Sequence, residues 1–457
     1  MKPQNLTILA LVLLSSVSAI LSTLLNIPGW ILAVPIILLL LHFKDKEAQD
    51  HWVKTTLLWG INLGLLLLLC YHIFTIIVNN IINLPDWDFL AFWLGGKAAV
   101  SGLNLYDANV LKSLVISFNL NEYIGEGFTH AFLCCGFPYP PPSILLFIPL
   151  GWFEPRLALI FWYGVNILVL IVTIILLWER FFKHHKILGL LTVTSLTLTI
   201  FGVKSNLLFA QTNFMVLLTI LMYWRNQSKL IGGGWLGLGI LIKPFVALLL
   251  VYVVARRQWR IVASAFGVLI GLTLVTLLII GVKPFHTYLT DAPYSALPFE
   301  VYIEPINGSL LANILRLTNY TPSGGSPIFH PLHITIGLLL GLTTLWVCLR
   351  VNQKNEQWAF MSMLMLSLII YPGSLLHSSV INIIPILFLW GNRHKVETGH
   401  WWLLGLITVE YMLLHNQYMF IANMLLWIVF TGISLSLIHP QQLAKLKALS
   451  RGQLTQE

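Results

Sequence analysis

The residues with the greatest potential for chemistry are few, and they lie beside long apolar runs. Asp86 and Asp88 follow a run that ends near residue 79. Lys243 interrupts another apolar segment, and His377 lies between two more. A carboxylate, a lysine and a histidine gathered at one face suit acid/base chemistry on a ligand that carries phosphate. Whether these side chains can gather depends on the elements between them.

Composition places these residues in a membrane protein. Hydrophobic residues make up 57% of the 457-residue chain and charged residues only 9%, which is outside the range of soluble domains. The net charge of +9 comes from basic residues scattered through short loops, a pattern that argues against nucleic-acid binding. The four cysteines lack metal-ligand spacing and imply no disulfide framework. The sequence predicts an all-α polytopic membrane protein, with residues 1–457 forming a single integral membrane domain.

About twelve apolar runs approach the roughly 20 residues that a helix needs to cross a bilayer. They are residues 6–24, 28–43, 55–79, 157–178, 187–203, 207–224, 261–281, 330–350, 357–371, 376–390, 401–416 and 418–438. With re-entrant segments, we expect about 12 to 14 transmembrane or re-entrant helices. The first run has no clear cleavage site, so we expect a retained helix and not a signal peptide.

The charges of the loops orient these helices, because short cytoplasmic loops carry an excess of Lys and Arg. The basic loops predicted to be cytoplasmic are residues 42–54, 179–186, 224–229, 256–260, 349–356, 391–395 and the C-terminal tail. Residues 80–142 and 282–329 carry more acidic than basic residues, and we expect both to be external loops. Both chain termini are then cytoplasmic.

Residues 232–257 must enter the membrane and return, since basic loops flank them on both sides. Pro244 ends the helix near Lys243, because proline cannot continue the hydrogen-bond ladder. We expect a re-entrant hairpin whose tip carries Lys243 toward the external side. Irregular backbone at that depth is tolerated where it lines a cavity, and a lysine there suits an anion. The alternative is a lysine that only snorkels to the interface.

Asp86 and Asp88 precede a helical pattern that carries aromatic residues at 89–93. Asp86 suits a helix N-cap. Asp88 is either a first-turn acid favoured by the helix dipole or a catalytic base. The aromatic residues predict interfacial helices within the loop 80–142, lying flat on the membrane. Such a helix would hold Asp88 at the level of the lipid headgroups.

The polar residues of two other turns each have two interpretations. Gln211 and Asn213 lie at a predicted external helix start, where they either contact a ligand or hold helices together. His377 lies in a short external turn, either as a ligand contact or as an ordinary turn histidine.

Several stretches, in their order and spacing, resemble glycosyltransferase family 87, membrane enzymes of the GT-C superfamily. The resemblance covers most of residues 80–390. The matching stretches are DFLAFWLGGKAAVSGLNLYD (88–107), YPPPSILLFIPL (139–150), FWYGVN (161–166), AQTN (210–213), LIKPF (241–245), RRQWR (256–260), NGSLLANILRL (307–317) and the Tyr-Pro-Gly-Ser turn before His377.

The resemblance implies a GT-C-type helix bundle with a long first external loop. It implies transfer of a sugar, mannose or another hexose or pentose, from a polyprenyl-phosphate donor to a lipid or glycan acceptor. In that reaction Asp88 is the general base of an inverting transfer, and Lys243 and His377 contact the donor phosphate. The further residues expected to line the site are Asp86, Tyr106, Gln211, Asn213 and Asn307.

No Asp/Glu cluster in the sequence resembles a divalent-ion cage, so we expect neither a metal nor a cofactor. The expected location is a bacterial plasma membrane, with the active site on the external face and a role in cell-envelope biosynthesis. Two alternatives are an envelope-polymer ligase or polymerase that uses a lipid-diphosphate glycan, and a lipid or solute transporter. The transporter is less favoured, because the chain has no evident internal repeat.

Overall fold

A computed structural model describes the chain over residues 28–46, 51–84, 88–120, 137–290, 299–320, 327–393, 400–415 and 418–438. Within these ranges the chain is almost entirely helical. The only strand-like pairing there is an isolated antiparallel bridge between Asn307 and Leu375.

The α-helices are numbered in chain order. They are α1 (Ala33–Lys46), α2 (His51–Asn83), α3 (Asp88–Val100), α4 (Ala108–Ser117), α5 (Ile148–Gly151), α6 (Pro155–Phe181), α7 (Lys186–Thr199), α8 (Phe201–Leu208), α9 (Asn213–Arg225), α10 (Leu230–Ile242), α11 (Ala247–Ala255), α12 (Trp259–Ile280), α13 (Val282–Thr290), α14 (Phe299–Ile303), α15 (Leu310–Leu317), α16 (Pro331–Arg350), α17 (Glu356–Ile370), α18 (Ile383–Gly391), α19 (His400–His415) and α20 (Met419–Ile438). Short 3₁₀ segments cover Gly29–Leu32, Pro141–Leu146, Lys183–His185, Pro244–Val246, Pro327–Phe329, Gln353–Asn355 and Leu376–Asn382.

Helix length and composition agree with a polytopic membrane protein. Five described helices are long and apolar enough to cross a bilayer, namely α2, α6, α12, α16 and α20. Helices α7 and α8 together form a sixth candidate, bent by 63° at their junction. Each predicted apolar run from 28–43 onward coincides with a helix, and the predicted all-α polytopic fold is confirmed. The run 6–24 lies outside the described residues, and the total of 12 to 14 helices stays a prediction.

The chain reverses direction between α10 and α12. Gly233 packs on Ile261, and the Ser264 hydroxyl donates to the Leu230 carbonyl at 2.7 Å. The start of α10 therefore lies beside the start of α12. In sequence, the rest of α10, Lys243 and α11 lie between these two points. Helix α11 must run back between these two points. That this helix pair is re-entrant in a bilayer stays a prediction.

Helices α10 and α12 pack side by side through glycines of α10. A Cβ atom on Gly233 would lie 2.3 Å from the Ile261 carbonyl oxygen, whereas one on Gly267 of α12 would meet nothing within 4 Å.

We expect Gly233→Ala to force the helices apart and to lower the melting temperature of the detergent-purified protein by several degrees. Gly267→Ala is the matched control, and it is expected to leave the melting temperature unchanged or slightly raised, because alanine favours helix over glycine. Equal melting temperatures for the two variants would contradict this packing.

Helix α3 is enclosed by protein on nearly all sides. Phe92 stacks on Phe147, with ring centroids 4.5 Å apart. A Cβ atom on Gly96 would lie only 2.1 Å from the Phe147 carbonyl oxygen, so the two backbones are in direct contact. The aromatic residues at 89–93, which we expected on a membrane surface, are buried. The physical reason is that α3 is apolar around its whole circumference, as is typical of a buried helix.

Helix α6 extends beyond the start of α9 at the end of the bundle opposite the Arg225–Glu179 pair. Helices α6 and α9 are level at their basic end, where Arg225 pairs with Glu179 at 2.6 Å. Trp162 of α6 donates from Nε1 to the Ala210 carbonyl just before α9, at 2.6 Å. Helix α6 starts at Pro155 and so continues beyond that contact for seven residues, about 10 Å at the rise of an α-helix. The turn at 209–212 therefore lies below the end of α6.

Candidate active site

Asp88 lies in the first turn of α3 and is partly buried. Burial raises the pKa of its carboxyl above the usual value of 3.8, although a hydrogen bond from Gln211 and the charge of Lys243 both lower it. The net shift is upward, and it brings the carboxyl closer to the proton affinity that a general base needs near neutral pH.

Lys243 lies between α10 and the 3₁₀ segment Pro244–Val246, in extended backbone with φ −141° and ψ 118°. Proline at the next position disfavours helix at Lys243, which explains why α10 ends at Ile242. Its Nζ atom donates to the Gln211 Oε1 atom at 3.3 Å. The same ammonium lies 5.3 Å from the centroid of the Tyr139 ring, within the range of a cation–π contact.

The charge on Lys243 is only weakly compensated. Burial lowers the pKa of its ammonium to about 8, and the nearby Asp88 carboxylate acts in the opposite direction. Lys243 forms no ion pair within 4 Å with any residue that the structure describes, unlike Arg225 and Arg256. A buried cation of this kind is a suitable contact for an anionic ligand.

Gln211 contacts Lys243 and lies near Asp88. Its Oε1 atom accepts from Lys243, from the Tyr139 hydroxyl at 3.4 Å and from the Thr212 backbone N–H at 3.4 Å. Its side chain also lies near Asp88 and lowers the pKa of that carboxyl. Gln211 was expected to line the site, and the structure places it there, next to Lys243.

His377 is buried on the 3₁₀ segment Leu376–Asn382. Its ring meets Phe209 edge to face, with centroids 6.3 Å apart, and the positive charge of Lys243 acts on it. Its Nε2 atom is buried and has no hydrogen-bond partner within the described ranges. Such a nitrogen can be satisfied by a polar ligand or by water.

The backbone around His377 is held by close packing and by Asn307. A Cβ atom on Gly202 of α8 would lie 2.3 Å from the Val380 backbone nitrogen, so α8 rests directly on the 3₁₀ segment. Asn307 donates from Nδ2 to the Pro372 carbonyl at 2.9 Å, and its Oδ1 atom accepts from the Ser309 backbone N–H at 3.1 Å. Asn307 therefore fixes the turn that leads to His377. Both polar atoms of the Asn307 side chain are used in these bonds, so its role here is structural.

Two other expected site residues also have positioning contacts. Asn213 donates from its backbone nitrogen and from Nδ2 to Asn206 Oδ1, at 3.0 and 3.2 Å. Tyr106 donates its hydroxyl to the Tyr139 carbonyl at 2.6 Å. Both residues support the neighbours of the charged groups through these bonds. The remaining expected residue, Asp86, lies outside the described residues.

Tyr139 is a site residue that the sequence pattern did not single out. Its hydroxyl donates to Gln211, and its ring lies against Lys243. The available signal was its place before three consecutive prolines, which fix the backbone dihedrals and hold the aromatic ring in one position.

The grouped residues offer a carboxylate, a buried ammonium and an unpartnered imidazole nitrogen. Together they can take a proton from a neutral nucleophile and offset the charge of a departing anion. Three or more His, Cys, Asp or Glu side chains do not cluster anywhere in the described part of the chain. That the reaction needs no metal stays a prediction.

The sequence of this chain is similar to that of a known protein family. The model of glycosyltransferase family 87 matches residues 137–379, more than half of the chain. The matched region contains Tyr139, Gln211, Lys243 and His377, whereas Asp88 precedes it.

Two similar proteins are mycobacterial. An α-(1→3)-arabinofuranosyltransferase of Mycolicibacterium smegmatis is 25% identical over 285 residues, which are 59% of this chain and 62% of the relative. A polyprenol-phosphate-mannose-dependent α-(1→2)-phosphatidylinositol mannoside mannosyltransferase of Mycobacterium tuberculosis is 24% identical over 307 residues, 64% of this chain and 66% of the relative. The chain thus spans a little under two thirds of the length of each. No solved structure gives a significant match.

Proposed function

We propose that this chain, which belongs to glycosyltransferase family 87, transfers a sugar from a polyprenyl-phosphate donor to a lipid or glycan acceptor. The observation that carries the proposal is a partly buried carboxylate, Asp88, close enough to the buried Lys243 for their charges to act on each other. The first group suits an acceptor hydroxyl, and the second suits the phosphate of the donor.

In the proposed reaction Asp88 removes the proton from the acceptor hydroxyl as the hydroxyl oxygen attacks the anomeric carbon. The bond between that carbon and the phosphate oxygen breaks, and its electron pair leaves with the polyprenyl phosphate. Attack opposite to the leaving group inverts the configuration at the anomeric carbon. A proton is thus transferred to Asp88, and the transferred sugar gains a bond to the acceptor oxygen.

In this proposal, Lys243 and His377 contact the leaving phosphate and stabilise it. The ammonium offsets the negative charge that grows on the phosphate oxygens in the transition state, and burial strengthens that interaction. The unpartnered Nε2 atom of His377 supplies a further polar contact. A phosphate is already a good leaving group, so we propose that these side chains act without a divalent metal ion.

The proposed donor sugar is mannose or another hexose or pentose. One relative is named for arabinofuranose and the other for polyprenol-phosphate mannose, and both sugars are compatible with the same reaction. The acceptor is proposed to be a lipid or glycan of the cell envelope.

The proposed location of the site is the external face of a bacterial plasma membrane. The site lies at the ends of α9 and α10 that are remote from the Arg225–Glu179 and Arg256–Glu356 pairs. Basic loops favour the cytoplasmic side, so the remote end is assigned to the exterior, with both termini cytoplasmic.

The donor class can be tested with the full chain purified in detergent. We expect transfer of radiolabelled sugar from a polyprenyl monophosphate donor to extracted membrane glycolipids, and no transfer from a lipid-diphosphate oligosaccharide. Use of the diphosphate donor alone would indicate a ligase or polymerase and would contradict the proposal. The matched control is the same preparation carrying Asp88→Asn, which lacks the proposed base and is expected to keep the fold.

A further inference from the structure

We propose that Tyr139 is a positioning residue for Lys243, whose ring face holds the buried ammonium in its charged form so that the charge is available to the donor phosphate. The consequence for catalysis rests on the proposed function, whereas the contact between the two side chains does not depend on it. The Lys243 Nζ atom lies 5.3 Å from the centroid of the Tyr139 ring, and both side chains are buried.

The two partners of the Lys243 ammonium are neutral. It donates to the Gln211 Oε1 atom at 3.3 Å, and the Tyr139 ring offers the negative face of its quadrupole. Arg225, by contrast, pairs with the Glu179 carboxylate at 2.6 Å. A carboxylate at such a distance would neutralise the cation and compete with a phosphate, whereas a ring and an amide stabilise the charge without cancelling it. An ammonium has three N–H donors, so hydrogen-bonding capacity remains for a ligand.

The far end of the Tyr139 side chain is anchored beside the lysine. Its hydroxyl donates to the Gln211 Oε1 atom at 3.4 Å, and this is the same atom that accepts from Lys243. One oxygen therefore fixes the tip of the ring and the ammonium relative to each other.

The near end of Tyr139 is fixed by its backbone and by neighbouring rings. Prolines precede and follow it in the sequence, and they restrict the backbone dihedrals on both sides. Its carbonyl accepts from the Tyr106 hydroxyl at 2.6 Å. The rings packed on it are Phe92, Phe137 and Phe147, with centroids 5.5, 5.8 and 6.2 Å away. The ring is therefore held in place before any ligand binds, as a positioning residue requires.

Removing this ring should make the Lys243 ammonium easier to deprotonate, because the charged form loses a favourable contact and the neutral amine does not. The other titratable groups nearby are Asp88 and His377, with Tyr371 near Tyr139. A neutral tyrosine and a leucine carry the same charge, so replacing one by the other adds no charge to this group. A shift in the protonation of Lys243 then reports the ring itself.

The test is a nitrogen NMR titration of the full chain, isotope-labelled on its lysine side chains and reconstituted in lipid. The signal that is absent in Lys243→Met reports the protonation midpoint of Lys243, and no substrate is needed. We expect the midpoint in Tyr139→Leu to fall by about one pH unit, the shift that corresponds to a desolvated cation–π contact. Tyr139→Phe keeps the ring, and its midpoint should stay within a few tenths of a pH unit of the parent.

Fluorinated phenylalanines at position 139 separate the ring face from its packing. Fluorine nearly preserves the shape of the ring but withdraws negative charge from its face, so the Lys243 midpoint should fall with each added fluorine. Phe118→Leu is the matched control, because the Phe118 ring lies 5.1 Å from the ammonium of another lysine, Lys97. Its Lys243 midpoint should equal that of the parent. An unchanged midpoint in Tyr139→Leu and in the fluorinated series would overturn the inference, and so would an equal fall in Tyr139→Leu and Tyr139→Phe.

The two proposals can fail separately. If the parent transfers no sugar from any polyprenyl monophosphate donor, the proposed function fails while the titration result still stands. If transfer occurs and the midpoints do not move, only the role of Tyr139 fails. If both proposals hold, the alkaline decline of kcat/KM in Tyr139→Leu should move down by the same amount as the NMR midpoint. A purely structural role for Tyr139 would lower the melting temperature without moving either midpoint.

Discussion

Replacing Asp88 by asparagine is expected to reduce sugar transfer by about 100- to 10,000-fold, the usual contribution of a general base. Asparagine has nearly the same shape, but its amide cannot take the proton of an acceptor hydroxyl. The folded protein should tolerate the change well. Burial already disfavours the charged carboxylate at this position, so a neutral side chain relieves a desolvation cost. The measurement is the initial rate of transfer, made together with the melting temperature of each preparation.

Asp107→Asn is the matched control for this experiment. Asp107 is the N-cap of α4, where its side chain accepts from the Asn109 backbone N–H at 2.9 Å. Asparagine caps helices as well as aspartate does, so this variant should keep both its stability and its transfer rate. Near-normal turnover by Asp88→Asn would assign the base to another residue, and unfolding of that variant would show a structural role for the carboxylate.

The helices could be predicted from the sequence because their signal is local. Apolar runs and the breaks between them depend on neighbouring residues, and each predicted run within the described ranges coincides with a helix. The grouping of Asp88, Lys243 and His377 was also predictable. It required only that loop charges assign these three residues to the same end of the bundle.

The roles of the polar amides could not be read from the same pattern. Gln211 and Asn213 are two positions apart in one turn, yet Gln211 accepts a hydrogen bond from Lys243 whereas Asn213 donates to Asn206. Asn307 likewise bonds to a turn more than 60 residues away. Such partners are determined by tertiary packing, and residue type alone does not distinguish a ligand contact from a structural clamp.

The environment of α3 contained a signal that favours burial. Aromatic residues at 89–93 suit a membrane surface, but the helix lacks the polar face that an interfacial helix requires. The pair Gly95 and Gly96 marks the place where Phe137 and the backbone at Phe147 come within contact distance. The whole circumference of a helix is therefore a better guide to its environment than its aromatic stripe.

Replacing Lys243 by methionine is expected to lower kcat/KM for the lipid-phosphate donor by about 10- to 100-fold, the range for losing a hydrogen bond to a charged group. Methionine keeps the length and apolar stem of lysine but has no charge to offer the phosphate. Lys354→Met is the matched control, because Lys354 is exposed on a 3₁₀ segment at the basic end. That variant should retain the kcat/KM of the parent.

The pH dependence of the reaction provides a second and sharper test of Lys243. Burial lowers the pKa of its ammonium to about 8, so the charge is present below that pH and is lost as the pH rises through it. We expect kcat/KM of the parent to fall on the alkaline side with a midpoint near pH 8. In Lys243→Arg the guanidinium stays protonated throughout this range. The alkaline decline should then disappear, even if the rate at neutral pH is lower because the guanidinium does not reproduce the geometry of an ammonium. If kcat/KM of Lys243→Arg still declines on the alkaline side with the same midpoint, another group causes the decline. That result would contradict the proposed contact between Lys243 and the donor phosphate.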